Sequence, residues 1–274
     1  MTITGQSLPD LHRIFGQLVK TSFAVQVQYR ASSYIWLIGA ILEPTIYLIV
    51  WSTVAEMQGG AVDGMTARDF AAYYIALMVI NQWTFTWIMW EYEYYIRDGS
   101  LAKWLMRPLH PFWRDLADNI AYKILTAVIL APAALVLILF FNPSFGIDLP
   151  SFLAFLPALV LAFVLRFTFE WGLALTAFWT TRTSALNNAY FVTFLFFSGR
   201  IAPLGLFPDW VQAIAAALPF RWVIQFPLDL LLGHLHGNEI LVGYGVQLLW
   251  ITLTLITLRF LWPAGVRRFS SVGG

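Results

Sequence analysis

Residues 119–141 read NIAYKILTAVILAPAALVLILFF, and Lys123 is the only formally charged side chain among them. The hydrocarbon core of a bilayer is about 30 Å thick, and a helix needs about 20 predominantly apolar residues to cross it. Lys123 lies near the start of the stretch, where a long side chain can extend its ammonium group to the interface. The stretch therefore predicts a membrane-spanning helix.

The composition of the whole chain agrees with that prediction. Of 274 residues, 59% are hydrophobic and 11% are charged, whereas a soluble domain has roughly 25% charged residues. Similar apolar stretches recur along the chain and leave no soluble domain of useful size. The predicted spans are 33–55, 70–90, 119–141, 151–180, 185–200 and 240–262. The predicted fold is all-α: a polytopic integral membrane protein with six transmembrane helices in a single domain, 1–274.

Two further segments complete the predicted architecture. Residues 10–30 have apolar side chains at helical spacing and predict an N-terminal amphipathic helix in the membrane interface; a helix packed on the bundle is the alternative. Residues 203–235 are apolar but repeatedly broken, and non-helical backbone at membrane depth must be buried in protein or line a wet cavity. They predict a re-entrant hairpin of two short helices, 208–218 and 221–233. One additional crossing, giving seven, is the alternative.

The distribution of basic residues predicts the orientation. With both chain ends inside, only Arg68, Arg200 and Arg221 fall outside and Arg166 falls within a span, which leaves 12 of the 16 Lys and Arg residues (16 − 4) cytoplasmic. Positive residues accumulate on the cytoplasmic side of membrane proteins. We therefore expect a multi-pass protein of the cell (inner) membrane with cytoplasmic N- and C-termini. The chain has no cysteine, so disulfides and thiolate chemistry are excluded.

The cytoplasmic stretch 91–115 reads EYEYYIRDGSLAKWLMRPLHPFWRD. Gly99 precedes a short predicted helix on which Leu101, Trp104 and Leu105 share a face, and the prolines that follow are expected to end it. Such a helix with basic flanks can dock into a groove on a cytoplasmic partner. The alternative is a basic loop that sets the topology and rests its apolar residues on lipid. The spacing alone leaves both open.

Several motifs, taken in order, resemble the permease subunit of ABC-2-type ABC exporters, and the resemblance covers nearly the full length. The pattern G-x-L-x-x-x-L-x-x-P begins at Gly99. The pattern S-G-x-x-x-P-x-x-x-F-P-x-W runs from Ser198 to Trp210, and residues 218–220 (Leu-Pro-Phe) follow it. Their order and spacing carry the resemblance together.

The resemblance implies that residues 97–113 form a cytoplasmic coupling helix that contacts a nucleotide-binding subunit, and that 203–235 form a re-entrant hairpin in the outer leaflet. The coupling residues that it implies are Gly99, Leu101, Trp104, Leu105, Arg107, Pro108 and Leu109. The hairpin residues that it implies are Gly199, Pro203, Phe207, Pro208, Trp210 and Pro219.

The resemblance also implies an assembly of two ABC ATPase subunits and two permeases, identical or paralogous, that exports an amphiphilic substrate by alternating access. The chain has no G-x-x-x-x-G-K-[ST] loop to hold phosphates. We therefore expect no enzymatic activity and no cofactor on this chain, with ATP and Mg²⁺ on the partner ATPase. Membrane lipids are expected partners, and nucleic acid is not.

Ionisable residues within predicted spans are candidates for the transport pathway, because charge at mid-membrane is costly and normally faces protein or a wet cavity. Arg166 and Glu170 are spaced to form an ion pair along one helix, and the sequence leaves a structural and a pathway role open. Glu43 has no local partner, and it either bonds a neighbouring helix or lines a cavity. His234 and His236 could suggest a metal site, but residues two apart do not share a helix face, so a surface loop is favoured.

Other classes of function remain as alternatives. An ion-coupled secondary transporter also uses broken helices near its binding site, but it needs a protonatable relay. An intramembrane enzyme needs paired carboxylates or a nucleophile with its base, and the spans contain no such set. The aromatic side chains of Tyr74, Trp83, Phe85 and Trp87 either pack in the core or line a path for hydrophobic or cationic substrates.

Overall fold

The computed structural model describes residues 8–180 and 182–269. Its α-helices, in chain order, are α1 (Leu8–Gln28), α2 (Arg30–Met57), α3 (Ala67–Thr84), α4 (Ile88–Arg97), α5 (Ala102–Leu105), α6 (Pro111–Phe141), α7 (Leu149–Ala174), α8 (Ser184–Phe197), α9 (Asp209–Ala217), α10 (Phe220–Val223), α11 (Gln225–Leu231) and α12 (Asn238–Arg268). Two short strands, β1 (Ala61–Val62) and β2 (Met65–Thr66), pair antiparallel between α2 and α3. Short 3₁₀ turns extend α7 and precede α9.

Four helical segments of the described chain are long and apolar enough to cross a membrane. They are Tyr34–Met57, Pro111–Phe141, Leu149–Phe178 and Asn238–Arg268. These segments occupy the places of the predicted first, third, fourth and sixth spans. The first continues through Pro44, although proline inside a helix removes one backbone hydrogen bond. The chain ends that were predicted to be cytoplasmic, 1–7 and 270–274, lie outside the described residues.

The predicted second and fifth spans have a different form. The run 70–90 is divided, because α3 ends at Thr84, α4 begins at Ile88 and residues 85–87 are not helical. The run contains neither proline nor glycine, so no local pattern indicates the break. The predicted fifth span corresponds to α8, which has 14 residues. At about 1.5 Å per residue it is roughly 21 Å long, shorter than the hydrocarbon core.

The third span begins earlier than predicted, and this changes the place of Lys123. Pro111, one of the prolines expected to end the short helix after Gly99, is instead the first residue of α6. Proline is favoured at that position because its missing N–H has no helical partner there in any case. Lys123 consequently lies well inside α6 and is buried, so its ammonium group bonds protein, at the Phe85 carbonyl oxygen, instead of extending away from the bundle as expected.

The coupling segment 97–113 is also not one helix. Between the end of α4 and the start of α6, the described helical part is the single turn α5, whereas one helix over 97–113 was expected. Pro108 cannot continue a helix, because proline lacks the N–H and its ring clashes with the preceding turn. The segment is therefore a loop with one helical turn, held between α4 and α6.

The predicted hairpin segment, 203–235, contains three short helices instead of two. The prediction 208–218 lies close to α9, but 221–233 is divided into α10 and α11 at Ile224. Pro219 precedes α10 and Pro208 precedes α9. α9 and α10 therefore begin directly after a proline, and α11 begins after Ile224, whose φ of −115° and ψ of −64° depart from ideal helical values.

The buried apolar side chains form two main clusters. The larger contains Tyr73 and Tyr74 of α3 together with residues of α7, α8 and α10 to α12. The smaller contains Tyr92 of α4 and Trp171 near the end of α7. α7 and α12 pass through both clusters, whereas α4 contributes Met89 to the larger and Tyr92 to the smaller. The two packed halves of the molecule therefore meet at the start of α4, just after the break that follows α3.

α1 packs along the first turns of α6. The rings of Phe15 and Trp113 lie 6.1 Å apart, Gln26 Nε2 donates to the Asp118 carbonyl oxygen at 2.8 Å, and the Ser22 hydroxyl donates to the Asp118 carboxylate. This arrangement agrees with the alternative of a helix packed on the bundle. The position of α1 in the membrane interface stays a prediction.

Candidate functional site

Residues 98–110 connect α4 to α6 and contain α5; we call them the coupling loop after the role that the resemblance implies. Gly99 has a left-handed backbone with φ of +73°, which glycine adopts without the steric cost of a Cβ. The Leu101 N–H donates to the Tyr95 carbonyl oxygen at 3.0 Å. The chain therefore turns sharply at the end of α4 and folds back against that helix.

The predicted coupling residues all lie on this loop, but they divide into buried and exposed sets. Leu101 is 1% exposed, and Trp104 and Leu105 pack against the same apolar cluster. These side chains anchor the loop on its own chain. Gly99 and Leu109 are half-buried. Asp98 is exposed next to the end of α4. The exposed side chains from α5 onward, which we call the loop tip, are Lys103, Met106, Arg107 and Pro108.

Asp115 on α6 fixes the base of the coupling loop, a role that sequence reasoning missed. Its carboxylate accepts hydrogen bonds from Tyr92 Oη at 2.6 Å and from Trp171 Nε1 at 3.0 Å. The neighbouring Arg114 guanidinium lies over the Trp104 ring, 4.0 Å from its centroid. These contacts join the loop to α4, α6 and α7. In the sequence, the signal for this role was the adjacent pair of Arg114 and Asp115 next to the apolar run of α6.

His110 caps the N-terminus of α6. Its Nδ1 accepts a hydrogen bond from the Phe112 N–H at 3.2 Å, which requires a neutral imidazole. Burial lowers the pKa of His110 to about 4, since removal from water disfavours the charged form. The ring stays neutral at physiological pH and lies 4.4 Å from the Trp262 ring of α12. The cap therefore holds the start of α6 beside the loop.

A group of buried polar side chains, the polar layer, surrounds the break between α3 and α4. Its members are Asn81, Thr84, Thr86, Lys123, Arg166, Glu170 and Tyr190. Arg166 Nε donates to Glu170 Oε1 at 2.7 Å, so the structure forms the ion pair that the spacing suggested. Lys123 Nζ donates to the Phe85 carbonyl oxygen at 2.8 Å. That oxygen lies in the break and has no helical partner.

Further hydrogen bonds complete the polar layer. Arg166 Nη1 donates to Asn81 Oδ1 at 3.0 Å, Tyr190 Oη donates to Glu170 Oε1 at 2.8 Å, and the Thr86 hydroxyl also donates to Glu170. The side chains of Arg166 and Glu170 are 3% and 1% exposed. A buried pair that is closed off and hydrogen-bonded in this way favours a structural role over a role in the pathway.

Glu43 has a partner that no local pattern could show. Arg200 Nη2 lies 2.6 Å from Glu43 Oε1 and 2.7 Å from Oε2. Arg200, which is predicted to lie on the outer side of the membrane, has its side chain buried between α2 and the turn after α8. Glu43 remains 36% exposed on the side of the bundle. Of the two roles considered for Glu43, the described contacts show the bond to a neighbouring segment.

The turn after α8 is held against α3, and it begins the predicted hairpin. Tyr73 Oη lies 2.7 Å from both the Gly199 carbonyl oxygen and Gln225 Oε1, and Tyr74 Oη donates to the Ile201 carbonyl oxygen at 2.6 Å. Of the other predicted hairpin residues, Pro203 and Pro219 are buried, Phe207 is half-buried, and Pro208 and Trp210 are exposed.

Replacement of Gly199 by alanine is expected to lower the free energy of unfolding by about 1–3 kcal/mol. Its φ is +90°, and an added Cβ would lie 2.3 Å from Gln225 Oε1 and 2.8 Å from Tyr73 Oη. Unfolding in mixed micelles measures the change. Gly205→Ala is the matched control, because nothing lies within 4 Å of its added Cβ. Equal stability of the two variants would contradict the prediction.

The remaining candidates are the histidines and the aromatic side chains. His234 Nδ1 lies 3.5 Å from Asp229 Oδ1, and within the described residues no group of three or more His, Asp or Glu side chains could hold a metal ion. Among the aromatic candidates Tyr74 is fully buried, whereas Trp83 and Trp87 are exposed on the side of the bundle.

Four helical segments long and apolar enough to cross a membrane define the described chain as a multi-pass α-helical membrane protein. The sequence profile of the ABC-2 family transporter proteins matches residues 15–273. The chain belongs to this family, which confirms the resemblance drawn from the motifs. It is therefore the membrane subunit of an ABC transporter, a type of subunit that works with ATPase subunits and is generally not catalytic itself. No curated protein and no solved structure matches the chain.

Proposed function

We propose that this chain is the permease of an exporter that moves an amphiphilic substrate out across the cell inner membrane. Two separate ATPase subunits bind ATP and Mg²⁺ and supply the energy, and a second permease completes the pathway. Nucleotide binding draws the ATPases together, and their movement switches the permeases between inward and outward access. This chain supplies the coupling surface and half of the pathway.

The observation that supports this proposal best is the construction of the coupling loop. Its tip exposes two cations and the apolar side chain of Met106, which is 80% exposed. Its base is locked by Leu101 and Asp115 into the smaller apolar cluster. An exposed surface that is both basic and apolar, on a rigid base, can dock into a groove on a partner protein. A loop that served topology alone would not need buried anchors.

The buried anchor side chains of the coupling loop can transmit the movement of the ATPases to the helices in the membrane. The loop is tied to α4, α6 and α7, and α4 is separated from α3 by the non-helical residues 85–87. Because the two apolar clusters meet at this break, the half that holds the loop can tilt relative to the other half. The polar layer satisfies the backbone exposed by the break, which lipid could not do.

Six crossings account best for the depth of the polar layer. Arg166 lies roughly 25 Å along α7 from Leu149, and Phe85 lies roughly 27 Å along α3 from Ala67, at about 1.5 Å per residue. Both distances place the polar layer near the inner edge of a hydrocarbon core of about 30 Å. In this topology α3 with α4 is the second crossing, and α8 with the turn that follows it is the fifth. α9 to α11 form the re-entrant segment on the outer side.

Single cysteines test this topology, since the natural chain has none. Met57 and Met106 are similarly exposed, at 82% and 80%, and lie at opposite ends of the bundle. We expect a membrane-impermeant maleimide to label Met57→Cys in intact cells and Met106→Cys only after permeabilisation. Labelling of both from outside, or of Met106→Cys alone, would contradict the proposed orientation.

The alternative of an ion-coupled transporter receives less support. It requires a carboxylate that is free to exchange protons or bind a cation. Within the described residues, Glu170 is enclosed in the polar layer and Glu43 is paired with Arg200. ATP-dependent export by the reconstituted chain with its ATPase, independent of proton and sodium gradients, is the result that we expect.

A further inference from the structure

A cavity of about 280 Å³ lies among β2, α3, α9, α10 and α11. We call it the outer cavity, and its assignment to the outer leaflet rests on the proposed topology. Pockets for drug-sized ligands usually have volumes of about 300–1,000 Å³. The outer cavity is therefore large enough for the headgroup of an amphiphile but not for a whole molecule of that kind.

One wall of the outer cavity holds a fixed carboxylate. Gln225 Nε2 donates to Asp229 Oδ1 at 2.8 Å, and Gln225 Oε1 is in turn held by the buried Tyr73 hydroxyl at 2.7 Å. His234 Nδ1 lies 3.5 Å from the same Asp229 oxygen. The other carboxylate oxygen, Oδ2, has no hydrogen bond within the described residues. A carboxylate positioned before binding loses little entropy when a cation arrives.

A guanidinium group without an ionic partner lines the same cavity. Arg221 is half-buried and lies over the Trp222 ring, with Cζ 5.5 Å from the centroid. It forms no salt bridge and no side-chain hydrogen bond within the part of the chain that the structure describes. Partly desolvated arginine is best satisfied by an anion that accepts two parallel hydrogen bonds, such as a phosphate or carboxylate.

We propose that the outer cavity binds a zwitterionic headgroup, with its phosphate on Arg221 and its primary ammonium on Asp229. The two protein charges are of opposite sign and line one small cavity, so a ligand that carries both charges satisfies both groups. Met65 and Leu204 also line the cavity and offer apolar contact to the chain that follows the headgroup. Such a headgroup occurs on membrane lipids and on amphiphiles that an exporter could carry.

Calorimetric titration of the purified chain, in detergent free of phospholipid, tests the chemistry. The probe is glycerophosphoethanolamine, compared with glycerol 3-phosphate and ethanolamine as its separate halves. We expect the probe to bind about tenfold more tightly than either half, and Arg221→Gln to weaken it about tenfold or more, as loss of one charged hydrogen-bonding partner predicts. Asp229→Asn keeps the acceptor for Gln225 and should weaken the probe and ethanolamine but not glycerol 3-phosphate.

Two further variants control for folding and for net charge. Arg68→Gln removes an exposed cation that donates to the Asn142 carbonyl oxygen, outside the cavity, and should bind the probe normally. Arg221→Lys keeps the charge and should retain part of the affinity. If no saturable binding is found, or if Arg221→Gln and Arg68→Gln bind equally, the proposal is wrong.

The headgroup could belong to a lipid of the surrounding membrane or to the exported amphiphile. Native mass spectrometry of the chain purified from phosphatidylethanolamine-containing membranes distinguishes these two sources. A retained lipid that is lost in Arg221→Gln and kept in Arg68→Gln would assign the site to the surrounding membrane. Equal retention with Arg221-dependent probe binding would assign it to the cargo. Both results support the headgroup site. All of these measurements use the chain without its ATPase, so failure of the exporter proposal and failure of this one are distinguishable.

Discussion

Replacement of Arg166 by leucine is expected to lower the free energy of unfolding by about 3–5 kcal/mol, because it leaves Glu170 charged and unpaired in a closed interior. The lost partner is 2.7 Å from that carboxylate, and the guanidinium also bonds Asn81. Unfolding of the purified chain in mixed micelles measures the effect. This substitution should be among the most destabilising single changes in the protein.

Two variants show whether the cause is the unpaired charge. The double change of Arg166 and Glu170 to leucine removes both charges and should recover a large part of the loss. Arg259→Leu replaces an exposed arginine of α12 and should leave stability nearly unchanged. If the single Arg166→Leu variant is as stable as the natural chain, the polar layer does not stabilise the fold as proposed.

Reversal of charge on the loop tip, Lys103→Glu with Arg107→Glu, is expected to lower ATP-driven transport about tenfold or more, since like charges placed across an interface cost several kcal/mol. Both side chains are exposed, so the fold should be retained. Transport and ATPase association are measured after reconstitution. Arg68→Glu, an exposed reversal at the other end of the bundle, is the control and should keep both activities.

Leu101 illustrates why the loop tip is the better place to test coupling to the ATPase. It belongs to the family pattern, but its side chain is 1% exposed and lies in the smaller apolar cluster. Truncation to alanine removes buried contacts and should destabilise the chain by about 2–5 kcal/mol. Loss of transport in such a variant would report on folding as much as on coupling.

The long spans were predictable because hydropathy is a local property. The run 119–141 is apolar whatever its neighbours are, and α6 covers it completely. The boundary at Pro111 was not predictable, since proline is compatible with both the end and the first residue of a helix. Lys123 was misplaced for the same reason, because its expected position depended on that boundary.

The functional contacts were harder to predict, because they join residues that are distant in the chain. Glu43 and Arg200 are 157 residues apart, and Tyr73 and Gly199 are 126 apart. The break at residues 85–87 has the same origin. The contacts that stabilise the break come from Lys123 on α6 and Arg166 on α7. Residues 70–90 themselves contain no pattern that predicts a break. Motif order identified the family, whereas the division of the coupling loop into anchors and an exposed tip required the fold.

Photo-crosslinking from the loop tip tests the central claim most directly. A crosslinking amino acid at Met106 and, in a separate variant, at Met57 places similarly exposed probes at opposite ends of the bundle. In membranes of the native cell, the account predicts that the Met106 probe captures a nucleotide-hydrolysing subunit and that the Met57 probe does not. Equal capture from both positions, or no nucleotide hydrolase captured at Met106, would contradict it.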